Sequence, residues 1–152
     1  MQREDLKCQK ILELKYLVSL FIVFFSFSLE KRTYKQLYKY YGEEVYIEQT
    51  DIQVPNGKLY NILGKEDRVY IGFAPSKFEN FDFMVLLDKT NKVKLVRVLV
   101  YRENYGSEIS SKRWLKQFIG MTEPKQFVDA ISGATISVNS MKYSVNKLIN
   151  SL

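Results

Sequence analysis

The sequence contains no histidine among its 152 residues, and its one cysteine, Cys8, lies within the first ten. Without an imidazole there is no Ser-His-Asp or Cys-His catalysis, no His-ligated zinc, iron or copper, and no haem held through histidine. A single thiol excludes disulfides within the chain, Cys-x-x-Cys redox chemistry and thiolate metal clusters. Proline is scarce at 3 and glycine at 7; there are no internal repeats and no low-complexity linker. No window holds five or more like charges. The formal charge of +6, from 23 basic and 17 acidic residues, is therefore spread along the chain rather than gathered into a polyanion-binding patch. RRM, zinc-finger and homeodomain signatures are also absent, so no nucleic-acid partner is expected.

What is present suits one folded domain. The 46% apolar and 14% aromatic residues are enough to fill one core, and single domains commonly run to roughly 100–200 residues. Residues 16–29 (YLVSLFIVFFSFSL) are uncharged and strongly apolar, preceded by Arg3, Lys7, Lys10 and Lys15 and followed by Glu30, Lys31 and Arg32. A membrane-spanning helix needs about 20 apolar residues, and runs of about 10–14 are more often signal-peptide cores. Ser26 and Ser28 have the spacing a signal peptidase reads, so cleavage after Ser28 leaves Leu29 as the mature start and removes Cys8. The alternative is an uncleaved anchor in the inner membrane over residues 11–29, with Ile11 and Leu12 lengthening the helix. A buried helix of a cytosolic protein is the third reading, opposed by the lack of a polar face.

Residues 30–44 read as a connector that includes a short polar helix at 33–41 (TYKQLYKYY), ended by Gly42. From Val45 the pattern is strand-like: Val45–Ile47, the turn Pro55-Asn56-Gly57, Lys58–Leu63, a turn at 64–67, and Arg68–Ala74. A hairpin follows, with Phe83–Leu87 and Val93–Tyr101 flanking the polar turn Asp88–Lys92. In its second strand Val96, Val98 and Val100 are expected on one face and Lys94, Arg97 and Arg102 at more exposed positions, which makes a half-buried antiparallel sheet. Residues 110–119 (SSKRWLKQFI) read as one amphipathic helix, with a Ser N-cap, a stripe of Trp114, Leu115 and Phe118, and a stop at Gly120. Val138, Met141, Val145, Leu148 and Leu152 recur at three- and four-residue steps and predict a second helix. Strands and helices are segregated, so the fold class is α+β: an antiparallel sheet with two or three packed helices, in one small domain after the N-terminal apolar segment.

Between the two helices lies Asp129-Ala130-Ile131-Ser132-Gly133-Ala134-Thr135-Ile136-Ser137. The small residues 132–134 allow a turn with exposed N–H groups, and a helix beginning near Ile136 aims its N-terminal dipole at Thr135, where an anion would be held. The plainer alternative is an ordinary cap, with the Thr135 or Ser137 hydroxyl satisfying a backbone donor. Asp129 has a similar alternative as an Asx turn, and Glu103 as a solvated strand end.

The pattern Asp129-x-x-Ser132-Gly133-Ala134-Thr135-x-Ser137 resembles the flavinylation motif of the FMN-binding domain family, found in flavin subunits of sodium-translocating NADH:quinone reductase and Rnf complexes and in small extracytoplasmic flavoproteins. Glu103-Asn104-Tyr105-Gly106 resembles the family's Glu-x-x-Gly segment, and Trp114–Gly120 its following helix. The departure is Asn104-Tyr105, where the respiratory-complex members carry Thr-Pro. The resemblance covers residues 68–150 and implies an FMN-binding domain over 45–152.

It further implies FMN held covalently on Thr135 by a phosphoester, installed by an FAD:protein FMN transferase that needs Mg²⁺. Ser132, Gly133, Ala134, Asp129 and Ser137 would surround the attachment, with Glu103 and Gly106 nearby. No metal is implied in the domain itself. Trp114 and Phe118 either wall the flavin or belong to the core. The function implied is an exported periplasmic or envelope flavoprotein, exchanging electrons with a membrane redox complex or another extracytoplasmic carrier. No acid–base constellation marks a substrate-specific enzyme. The alternatives are a flavin-dependent reductase of a small acceptor and an envelope binding module of the same fold without flavin.

Overall fold

A computed structural model describes residues 29–152. The expected signal or anchor, apart from Leu29, and Cys8 lie outside the described residues. Helix α1 covers residues 29–41 and stops at Gly42, whose φ of 77° breaks the helical path. Five strands follow: β1 (Ile47–Gln49), β2 (Gly57–Ile62), β3 (Arg68–Pro75), β4 (Asn80–Leu87) and β5 (Val93–Val100). They form one antiparallel sheet in the order β1-β2-β3-β4-β5, every neighbour joined by a local turn. Two elements complete the domain, the short helix α2 (Lys112–Leu115) and the long helix α3 (Thr135–Asn150). The α+β class expected from the sequence is the one observed.

The sheet is covered on both faces, where the sequence reading expected one face open. On one face Phe81, Phe83, Val85, Leu87, Val93 and Val96 pack against Val138, Met141, Val145 and Leu148 of α3 and against Trp114, Leu115 and Phe118. On the other, Val69, Ile71, Met84, Leu86, Leu95 and Leu99 pack against Leu37 of α1. Seven consecutive residues of β4, from Phe81 to Leu87, are consequently buried. Each fully buried Val, Leu, Met or Phe contributes about 1.5–3 kcal/mol. The run Phe83-Met84-Val85-Leu86-Leu87 carried the signal: an uninterrupted apolar strand is the mark of a two-sided core.

Val100 is a second correction. It packs on the α1 face, whereas Val96 and Val98 sit on the α3 face. Phe83 pairs with Val98 and Asp82 with Val100, so Leu99 is an extra residue opposite none, a β-bulge. A second irregularity lies between the Leu86–Leu95 and Leu87–Val93 pairs and turns Lys94 to the α1 face. There its ammonium meets the Asp67 carboxylate at 2.6 Å, and the Tyr41 hydroxyl donates to the same carboxylate at 2.5 Å. Burial and the Asp67 charge push the Tyr41 phenol well above its usual range, so it stays a neutral donor that pins the end of α1.

The third correction concerns residues 110–119, which are not one helix. They divide into the end of a 3-10 turn (Ser107–Ser110), α2, and another 3-10 turn (Lys116–Phe118), and Ser111 makes no side-chain cap. The chain stops there because residues 120–121 pair with the start of β5. Gly120 N–H donates to Val93 O at 2.8 Å and Val93 N–H to Met121 O at 2.9 Å. Trp114 and Phe118 are buried in edge-to-face contact at 5.4 Å between ring centres, so they belong to the core.

Candidate functional site

Three segments meet at one end of the sheet. They are the β3–β4 turn, the chain leaving β5, and the N-terminus of α3. Between them lies a cleft of about 780 Å³, lined by Ser76–Glu79, Arg102–Tyr105 and Gly133–Ser137. This falls within the ~300–1,000 Å³ typical of small-molecule sites.

Thr135 is the first residue of α3. It is exposed, lines the cleft, and its hydroxyl makes no hydrogen bond to any described residue. The preceding N-cap is Ala134, with no side-chain cap. Alanine ranks far below Ser, Thr, Asp and Asn there, a choice worth roughly 0.5–2 kcal/mol. The first helical bond at this end runs from Val138 N–H to Ala134 O, so the amides of Thr135, Ile136 and Ser137 have no carbonyl partner among the described residues. The first turn contains no acidic residue. Unpaired amides, the positive end of a sixteen-residue helix and a free hydroxyl thus face one cleft, an arrangement suited to a phosphate ester. The plainer reading of Thr135 as a cap is not what the geometry shows.

Ser137 is buried and points the other way. Its Oγ lies 2.6 Å from Ser76 Oγ and 3.0 Å from the Tyr101 hydroxyl, and Tyr101 donates to Tyr105 O at 2.8 Å. These three hydroxyls tie the ends of β3 and β5 to the first turn of α3. Ala134 is buried and faces Gly106, whose φ is 80°. A Cβ built on Gly106 meets the Tyr101 hydroxyl oxygen at 2.7 Å and Ala134 Cβ at 3.3 Å. Gly133, also at φ 80°, makes the turn into the helix. Ser132 is exposed and stands outside the cleft lining.

Glu103 does line the cleft, and its carboxylate is engaged. Oε1 accepts from Phe78 N–H at 2.7 Å and Glu79 N–H at 3.0 Å, and these backbone donors hold its pKa below the ordinary carboxylate value. It buckles the β3–β4 turn onto the strand end. Arg102 performs a parallel task, donating to Asn80 O at 2.6 Å and to the buried Asp82 carboxylate. Asp129 is not brought to the cleft by its side chain. Its backbone accepts from Trp114 Nε1 at 2.8 Å and donates to Gln117 Oε1 at 2.8 Å, and its residue borders a separate depression with Glu108 and Trp114. Among the described residues no cluster of acidic side chains is placed to hold a metal ion.

The β3–β4 turn was not foreseen as part of the site. Phe78 is 77% exposed and Tyr105 is 80% exposed, both at the cleft, with the Lys77 ammonium 5.0 Å from the centre of the Phe78 ring. An aromatic between Lys77 and Glu79 in a turn, with no apolar periodicity around it, was the available signal.

An α+β domain whose long helix presents an uncapped N-terminus and a free threonine to a cleft of this size belongs to the class of small-ligand-binding proteins. Residues 79–150 match the family of the FMN-binding domain, which identifies this stretch as similar to an FMN-binding domain and supports a flavin-binding protein. No curated protein matches the chain.

Proposed function

We propose that FMN is carried covalently on Thr135 and that the protein is an exported electron-transfer flavoprotein. The observation that carries this reading is the free Thr135 hydroxyl beside unpaired helix amides in the cleft. In the attachment step the Thr135 hydroxyl loses its proton, its oxygen takes the FMN phosphoryl group from FAD, and AMP leaves. The FAD:protein FMN transferase supplies the Mg²⁺ for this exchange. The diester keeps one negative charge, which the helix N-terminus stabilises by about 0.3–1 kcal/mol, and by up to about 2 when partly buried.

Bound FMN supplies the one- and two-electron chemistry that a chain without histidine lacks. The residues of this chain do the remainder. Ser137, Ser76 and Tyr101 fix the position of the helix end, Glu103 and Arg102 hold the two rims, and Phe78 and Tyr105 provide aromatic walls. The electron partners are a membrane redox complex or another extracytoplasmic carrier, and export follows from reading residues 1–29 as a signal or anchor.

Co-expression with an FMN transferase tests the attachment. The protein should gain the mass of FMN less one water and fluoresce in a denaturing gel, and Thr135→Ala should abolish both. An unshifted wild-type mass in the presence of active transferase refutes the covalent reading.

A further inference from the structure

Helix α1 lies along β5. Arg32 Nη1 donates to Leu99 O at 3.1 Å, and near the other end of the helix the Lys94 ammonium stands 5.6 Å from the centre of the Tyr40 ring. Residues one and two turns beyond Arg32 share its face of the helix. Gln36, Lys39 and Tyr40 accordingly line a small pocket with Leu95 and Arg97 of β5 and with Lys112, the first residue of α2. None of these residues lines the cleft at Thr135.

The charges of this pocket have one sign. Arg97 is half-buried, Lys39 and Lys112 are exposed, and no Asp or Glu lines the pocket. The ion pairs among the described residues are Lys65–Glu43, Lys89–Glu66, Lys94–Asp67 and Arg102–Asp82, so Lys39, Arg97 and Lys112 are left without a carboxylate. Lys94, on the same strand as Arg97, sets the contrast, because its charge is matched by Asp67. Arg97 Nη1 donates to Val96 O at 2.7 Å, while Nε and Nη2 make no hydrogen bond to any described residue. Taking a cation out of water is costly when no opposite charge replaces its hydration. Burial alone pulls the Arg97 guanidinium below its usual pKa, with no carboxylate to offset it, and the group still carries its charge at neutral pH.

The pocket measures about 120 Å³, the share of about four waters at ~30 Å³ each. That is room for one tetrahedral oxyanion and too little for a nucleotide. Nε and Nη2 are the neighbouring donors of a guanidinium fork, which grips phosphate oxygens two at a time, and lysines act on the same anion as point charges. A lone carboxylate would leave most of the positive charge unmatched. We propose that Lys39, Arg97 and Lys112 form a binding site for a phosphate dianion, either inorganic phosphate or the terminal group of a phosphate monoester whose remainder stays in solvent. Gln36 offers a neutral amide donor on the same wall. The site stands whether or not Thr135 carries FMN.

The test uses the full isotope-labelled chain in a neutral maltoside detergent. Sodium phosphate is exchanged for sodium chloride at constant ionic strength, since a basic patch attracts any anion and salt screens it. The backbone amides of Leu95 and Arg97 and the Gln36 side-chain amide should shift saturably with phosphate and stay still in chloride. Arg97→Gln should weaken binding about tenfold or more. Lys39→Gln with Lys112→Gln, both at exposed positions, should weaken it several-fold and leave the fold untouched. Glycerol phosphate, titrated in parallel, separates the two sources: equal midpoints assign the site to inorganic phosphate, and a lower midpoint for glycerol phosphate assigns it to the ester. A linear drift equal to that in chloride overturns the proposal, as does binding unchanged in both variants. Shifts confined to the amides of Thr135, Ile136 and Ser137 overturn it too, because phosphate would then occupy the end of α3 instead.

Discussion

The Tyr101 hydroxyl lies 3.0 Å from Ser137 Oγ, so the end of β5 is bonded to the first turn of α3, two residues from Thr135. Tyr101→Phe removes this bond and the 2.8 Å bond to Tyr105 O. A net loss of about 1 kcal/mol is expected, read in urea with Trp114 as the fluorescent probe. Combined with Ser137→Ala, the double-mutant cycle should give a coupling energy of at least about 0.5 kcal/mol. Strict additivity would mean that the two hydroxyls do not interact.

Gly106 and Gly133 share a φ of 80° but differ in their surroundings. Alanine at Gly133 meets open space and should cost only the left-handed backbone term, about 1–2 kcal/mol. At Gly106 the same methyl runs into the Tyr101 hydroxyl and approaches Ala134, so Gly106→Ala should destabilise more and also lower FMN loading. Thermal unfolding of the two variants side by side checks the order.

The Glu103 carboxylate is held below its ordinary pKa by the amides of Phe78 and Glu79. A depressed folded-state pKa means that its contribution is present above the unfolded value and lost as pH falls through the folded one. The Phe78 and Glu79 amide resonances should therefore titrate together, with a midpoint below 4.5, the ordinary value for glutamate. In Glu103→Gln, which retains an acceptor oxygen but has no proton to gain, that titration should vanish while the turn stays folded. A midpoint at or above 4.5 in the wild type would remove the link.

Ser144 is buried on α3 with a hydroxyl that has no hydrogen-bond partner among the described residues. Ser144→Ala should raise stability by about 1 kcal/mol, since it removes an unsatisfied polar group and improves helix propensity. A fall in the urea midpoint would show that the hydroxyl finds a partner in solution.

The strands and α3 were legible because their signals are local. Apolar alternation, the Asp88–Lys92 turn and the three- and four-residue steps from Val138 onward are read within a few neighbours. The likeness of residues 79–150 to the FMN-binding domain was legible for the same reason, since the pattern from Asp129 to Ser137 is one contiguous stretch. Three features depended on distant partners and were missed. The helix expected at 110–119 is cut short by backbone pairing of residues 120–121 with Val93, which no local propensity encodes. Phe78 joins the cleft because Glu103, 25 residues later, binds its amide. Asp129 lies in the motif by sequence, yet the Trp114 indole and the Gln117 amide draw its backbone toward α2.

The extra residue at Leu99 acts on the site as a parity setting. With strict alternation from Val96 and Val98 the Tyr101 ring would fall on the α1 face; with one residue inserted it falls on the α3 face, among the groups packed there. A one-residue deletion in this part of β5 is therefore a change of side as well as of length, and sends the groups that follow away from Thr135. Compensation would require a second single-residue change before Tyr101. Chains that keep this cleft should thus tolerate substitutions at the bulge far better than insertions or deletions there.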